Sequence, residues 1–247
     1  MWGDFVTENL QPKKTDLPVR AASAVVMVAV AGTALWLGGL IWALFVIAVA
    51  MGLYWEWWGL VRLFVPGLGA RAAWLVGGFV YIGLAAFVLL VLRVVPLSSA
   101  PVLLLALMLA VIGTDIGAYF AGRAIGGPKI APSISPSKTW AGLGGGMIGS
   151  CLALVAVTYP SEGFSDIGWK LLAGPILAVI AQTGDFFESW MKRRAGVKDS
   201  SALIPGHGGL FDRVDGLLAV CFILGLAFVV VTISLLLTGS SFLPTPA

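Results

Sequence analysis

Apolar and polar positions alternate along this chain in long blocks, without the short period of a soluble fold. After a polar start with Lys13, Lys14 and Arg20, residues 21–58 carry one charge, Glu56. Those 38 residues are about twice the roughly 20 needed to cross a bilayer as a helix. Two helices must share them, and Leu37-Gly38-Gly39 is the natural turn of a tight hairpin of rather short helices. Apolar runs recur at 72–92, 101–121, 139–159, 171–191 and 214–237, which makes seven spans. None shows the strict two-residue alternation of a barrel strand, so the spans read as helices. The pattern predicts an all-α polytopic integral membrane protein with a single membrane-embedded domain over 21–240 and short tails at 1–20 and 241–247.

Composition agrees: 59% of residues are hydrophobic and 11% charged, which excludes a soluble domain of this length. A basic stretch before the first apolar run could open a cleaved signal peptide, but the second apolar run that follows at once favours a retained anchor. Cys151 and Cys221 lie inside apolar runs and read as packing residues. The net charge of +3 has a topological explanation that needs no nucleic acid. With the N-terminus inside, Lys13, Lys14, Arg20, Arg62, Arg71, Arg123, Lys129, Lys138, Lys192, Arg193, Arg194, Lys198 and Arg213 fall on the inner side, and only Arg93 and Lys170 fall outside. That bias orients the chain in a cytoplasmic membrane. Tyr54, Trp55, Trp57 and Trp58 then sit at the inner interface as an aromatic belt.

Charge concentrates in one place. The 31 positions from Asp185 to Asp215 hold ten of the 27 charged residues and the only histidine, His207. The acids near the spans share one depth on the inner side: Glu56, Asp115, Asp185, Asp212 and Asp215. A lone carboxylate within a helix costs about 2.5–3.5 kcal/mol on insertion scales. For any one of them a neighbouring Lys or Arg is an equal explanation, but the group points to a site holding a cation. Asp212 and Asp215 are spaced i, i+3 and project from one helix face, with Arg213 turned about 100° away. Such oxygen pairs suit Mg2+; His and Cys are too sparse for structural zinc. Asp185 and Glu188 repeat the spacing, although Glu188 and Lys192 also fit a plain i, i+4 ion pair, so Asp185 is the better ligand candidate.

Two loops complete the polar layer. Pro205-Gly206-His207-Gly208-Gly209 cannot be helical, and its glycines let backbone amides approach a ligand. Ser133, Ser135, Ser137, Lys138 and Thr139 precede the fifth span, where an anion site and ordinary helix capping explain them equally. The run from Trp140 to Gly149 holds Gly142, Gly144, Gly145, Gly146 and Gly149; no Walker lysine follows, and close helix packing accounts for it.

From Ser189 onward, Lys192-Arg193, Lys198-Asp199, Pro205, His207-Gly208-Gly209, Asp212-Arg213 and Asp215 resemble the signature of the CDP-diacylglycerol synthases, the phosphatidate cytidylyltransferases. Asp115 with Gly117-Ala118-Tyr119 and Gly122-Arg123, and Ser135-Pro136 with Lys138-Thr139-Trp140, are similar to two further blocks. The first hundred residues resemble the family only in their apolar character and in Trp55-Glu56-Trp57. Ser137 and Ala141 stand where the family commonly has lysine and glutamate, and Ser201 where glycine is common.

The resemblance implies transfer of CMP from CTP to phosphatidic acid at a Mg2+ site, with room for a second cation such as K+. It implies Asp185, Asp212 and Asp215 as metal ligands with help from Asp115. Lys138, Lys192, Arg193 and Lys198 would meet phosphates, and His207, Gly208 and Gly209 would lie near the nucleotide, with Ser135, Thr139 and Arg213 among the substrate contacts. It leaves open whether the chain acts alone or as a homodimer. Two other readings stay on the page: a CTP-dependent kinase of a membrane polyprenol, and an ion-coupled transporter whose intramembrane acids carry the coupling ion.

Overall fold

The computed structural model describes residues 17–94, 100–163 and 166–238; most of the N-terminal tail and all of the C-terminal tail lie outside them. It contains seven helices, α1 Leu17–Leu37, α2 Gly39–Phe64, α3 Leu68–Val94, α4 Ala100–Ala124, α5 Trp140–Glu162, α6 Ile167–Ala195 and α7 Phe211–Thr238. All seven are long and apolar enough to cross a membrane, so the chain is an all-α multi-pass membrane protein. The turn at Gly38 and Gly39 is where the sequence places it, both residues having positive φ, which glycine adopts without steric penalty.

The helices overrun the apolar windows. α2 continues to Phe64 and α6 to Ala195, through Lys192, Arg193 and Arg194. Apolar length measures the part that needs lipid, whereas a helix stops where its backbone is capped. For α6 that stop is Gly196 in the left-handed region, whose amide donates to the carbonyls of Lys192 and Arg193. The loop before α5 also holds an unforeseen two-stranded hairpin, β1 Lys129–Ala131 and β2 Ser135–Thr139, paired antiparallel with Lys129 opposite Thr139. Its second strand runs straight into α5, whose first turn is capped by the Thr139 hydroxyl accepting from the Gly142 amide at 3.0 Å.

Glycine sets how closely the helices approach. On the α4–α5 contact, Gly145 lies against the Gly117 carbonyl and Gly149 against that of Gly113. The glycine-rich run is therefore a packing stripe. Gly184 makes the same close approach of α6 to Ala219 and the Asp215 carbonyl on α7.

An aromatic core fills the space between α2, α3, α6 and α7. Trp57 is 3% exposed, its ring centroid about 6 Å from those of Trp74, Tyr81, Phe187 and Phe211, and its indole N–H donates to the Trp74 carbonyl at 2.9 Å. This corrects the aromatic-belt expectation: Trp55 and Trp58 face outward, while Trp57 is core. Successive helical residues turn by about 100°, so the aromatic positions 54, 55, 57 and 58 cannot all share a face.

Because the chain reverses at every connection, the C-terminal ends of α2, α4 and α6 and the N-terminal ends of α1, α3, α5 and α7 lie at one end of the bundle. Gly145→Ala drives a Cβ into the Gly117 carbonyl and Ala121 and should cost about 1–3 kcal/mol. Gly144→Ala, with nothing within 4 Å, should be neutral or slightly stabilising; thermal unfolding midpoints in detergent check both.

Candidate active site

The polar layer is assembled where α6 and α7 meet. Asp185 and Glu188 leave one side of α6, Asp215 leaves the first turns of α7, and one oxygen of each lies within 4.8 Å of the others. Lys138, on β2, forms an ion pair with Asp185. Asp115 on α4 is within electrostatic reach of Lys138, Asp185 and Asp215. Glu188 is 1% exposed, and its Oε1 is a buried acceptor without a hydrogen-bond partner among the described residues. An orphaned carboxylate oxygen beside two further carboxylates is the arrangement that a hard cation completes.

Lys192 is the next layer outward. Its ammonium lies 2.6 Å from Glu188 Oε2 and 2.5 Å from Asp212 Oδ1, so the i, i+4 pair read from spacing is present and extended by a second acid. Asp212 Oδ2 accepts from the Ser200 amide at 2.9 Å, the Ser200 hydroxyl at 2.9 Å and the Gly209 amide at 2.8 Å. Among the expected metal ligands, Asp185 and Asp215 stand together, Asp115 stands behind them, and Asp212 has both oxygens engaged by Lys192 and the loop. The oxygens close enough to share one ion belong to Asp185, Glu188 and Asp215. Spacing showed that Asp212 and Asp215 share a helix face; it did not show that a loop returns to take Asp212.

That loop, between α6 and α7, closes in a tight turn. The Ile204 amide donates to the Gly208 carbonyl at 2.8 Å and the His207 amide to the Ile204 carbonyl at 2.9 Å, with Gly206 and Gly208 at positive φ. His207 keeps its Nδ1 buried and unpartnered among the described residues, and Arg213 reaches back to the His207 carbonyl at 2.7 Å. The Gly209 amide points inward to Asp212.

The remaining candidates divide by exposure. Arg193 and Lys198 are exposed at the rim, Arg193 lying 3.5 Å from the Ile134 carbonyl of the hairpin turn. Ser135 and Thr139 are buried, and the Thr139 hydroxyl is engaged as the α5 cap.

Glu56 is the functional candidate that sequence reasoning left without a role. It is 1% exposed and accepts hydrogen bonds from Ser200, Ser201, Leu210 and Phe211. Its sequence signals are a carboxylate in an apolar run, at the depth of the other acids, and its place in Trp55-Glu56-Trp57, which say that a partner exists but not which one. A Cβ at Gly209 would lie 2.7 Å from Glu56 Oε1 and against Ser200, so Gly209→Ala should loosen the loop by about 1–3 kcal/mol. Hydrogen–deuterium exchange should then show faster exchange of the Ser200 and Gly209 amides.

Residues 62–232 match the family model described as "Cytidylyltransferase family". The chain is 34% identical over 255 aligned residues to the phosphatidate cytidylyltransferase of Brucella suis biovar 1, covering 85% of this chain and 92% of that protein. It is 32% identical over 216 residues to the phosphatidate cytidylyltransferase of Rickettsia bellii, covering 83% and 88%. It is 44% identical over 122 residues to that of Haemophilus influenzae, covering 47% and 42%. With a family model spanning more than half of its length and relatives aligned over more than four fifths of it, this chain belongs to the cytidylyltransferase family.

Proposed function

We propose that this chain transfers CMP from CTP to phosphatidic acid, yielding CDP-diacylglycerol and pyrophosphate, at a Mg2+ site on the cytoplasmic side of the inner membrane. The observation that carries the reading is the cluster of Asp185, Glu188 and Asp215 with Lys138 and Lys192, set where the apolar spans give way to basic loops.

The bond that forms joins a phosphate oxygen of the lipid to the α-phosphorus of CTP, and the bond that breaks is the anhydride between the α- and β-phosphates. The lipid phosphate is already anionic at neutral pH, so no strong base is needed. The task is to bring two anions together and to offset charge at the reacting phosphorus. When bound, Mg2+ supplies that charge neutralisation and orients the triphosphate. Asp185, Glu188 and Asp215 would hold it, and the Glu188 oxygen left unpartnered supports that donor set.

The side chains divide the rest of the work by position. Lys192, fixed between Glu188 and Asp212, keeps positive charge at the inner wall. Lys138, paired with Asp185, sets an ammonium group beside the carboxylate cluster, where it would suit a phosphate contact. Arg193 and Lys198, exposed on the rim, suit the approach of the triphosphate from water. His207, with a buried and unpartnered nitrogen in the loop turn, suits a place near the nucleotide. The lipid phosphate can reach this layer laterally from the membrane, because the cluster lies at the ends of the apolar spans. The excess of lysine and arginine on that side supports the cytoplasmic orientation.

Relatives over most of the chain are named as phosphatidate cytidylyltransferases, so neither the membrane-alcohol kinase nor the transporter is favoured. Purified protein given radiolabelled CTP and phosphatidic acid should form CDP-lipid and pyrophosphate; CDP with a phosphorylated alcohol would instead identify a kinase. Asp185→Asn and Asp215→Asn should each raise the Mg2+ requirement or lower turnover by about 10–100-fold. Glu188→Gln should behave likewise, which separates this donor set from one centred on Asp212; a Mg2+ titration of initial rates reads both.

A further inference from the structure

Glu56 lies six residues before the segment matched by the family model, on a helix that otherwise faces lipid and aromatic core. A buried carboxylate is costly unless its oxygens are satisfied. Those of Glu56 are satisfied by one loop. Oε1 accepts from the Ser201 hydroxyl at 2.5 Å and the Leu210 amide at 2.8 Å, and Oε2 from the Phe211 amide at 2.6 Å and the Ser200 hydroxyl at 3.1 Å. Two of these donors stand on the arm leaving α6. The other two are amides at the start of α7, where a negative charge also complements the helix dipole.

The Ser200 hydroxyl lies between two acids, 3.1 Å from Glu56 Oε2 and 2.9 Å from Asp212 Oδ2, and its one proton is shared between them. Glu56 from α2 and Asp212 from α7 therefore hold both arms of the 199–211 loop between them. The α1 helix supports the apex: the Ser23 hydroxyl donates to the Pro205 carbonyl at 2.8 Å, and Arg20 packs against Gly206. Pinning Leu210 and Phe211 fixes the start of α7, hence Asp212 with its Lys192 partner, and Asp215 one turn further on. The same grip fixes the turn that carries His207.

We infer that Glu56 is a positioning residue of the transfer reaction, and that through it the α1–α2 hairpin forms the outer half of a clamp setting the nucleotide end of the site. This rests on the proposed function. Glu56 does not face the carboxylate cluster, so it acts only through the loop and the start of α7. The carboxylate form is required because each oxygen meets a backbone N–H. The amide of a glutamine would turn its NH2 toward one of them in either orientation.

The test uses the full chain in detergent, with Glu56→Gln, Glu56→Leu and Ser200→Ala. Measured for each are kcat, KM for CTP, KM for phosphatidic acid and the thermal unfolding midpoint. Glu56→Gln and Glu56→Leu should raise KM for CTP by about tenfold or more, in the range seen when a supporting hydrogen bond is removed. KM for phosphatidic acid should stay within about twofold, and Ser200→Ala should shift KM for CTP in the same direction by less. Wild-type kinetics in both Glu56 variants would overturn the inference. So would equal changes in both KM values together with a falling midpoint, the mark of a purely structural role. If neither Glu56 variant folds, Ser200→Ala decides by the same split, and an unchanged KM for CTP there also overturns it. A wild-type protein that forms no CDP-lipid would tell against the reaction itself, a result separate from any of these.

Discussion

Carboxylates embedded at one end of an apolar bundle must be neutralised where they stand, and that requirement organises this protein. Lipid offers no water to solvate Glu56, Asp185, Glu188, Asp212 or Asp215, so amides, hydroxyls and ammonium groups are drawn to them from distant parts of the chain. Lys138 comes from the hairpin, Lys192 from the end of α6, and Ser200, Gly209 and Leu210 from the loop. The loop has its shape because two acids on different helices take its donors. Its glycines follow from the same demand, since a Cβ at Gly209 would occupy the space where the Glu56 carboxylate sits.

That network needs a rigid frame, and close helix approach provides it. Gly117 on Gly145 and Gly184 on Asp215 bring backbones together, so the helices bearing Asp115, Asp185 and Asp215 keep fixed separations. The Trp57 cluster locks α2 against α3, α6 and α7. One residue earlier on the same helix, Glu56 therefore arrives beneath the loop at a defined height. Trp57 and Glu56 both looked like features of a membrane interface, and both turned out to be interior. The cause is helical rotation: outward positions at Trp55 and Trp58 leave the two residues between them facing in.

The carboxylates of the site show the limit of spacing arguments. Asp212 and Asp215 share a helix face by their i, i+3 separation, yet one serves the loop and Lys192 while the other faces Asp185 and Glu188. Local geometry orders side chains around one helix axis; it carries no information on what approaches that face from elsewhere. Glu188 was discounted because Lys192 offered it a local partner. It has that partner on one oxygen and leaves the other open toward the cluster.

By itself the sequence determined the seven helices, their hairpin at Gly38, the glycine stripe of α5 and the gathering of charge at one end. Each of these is local or follows from alternation: apolar length, backbone freedom of glycine, and the reversal of direction at every connection. The burial of Trp57 and the partners of Asp212 and Glu56 were decided only by the tertiary structure. Those depend on contacts between residues as far apart as Glu56 and Phe211, where each side chain's environment is made by the other and neither stretch alone contains it.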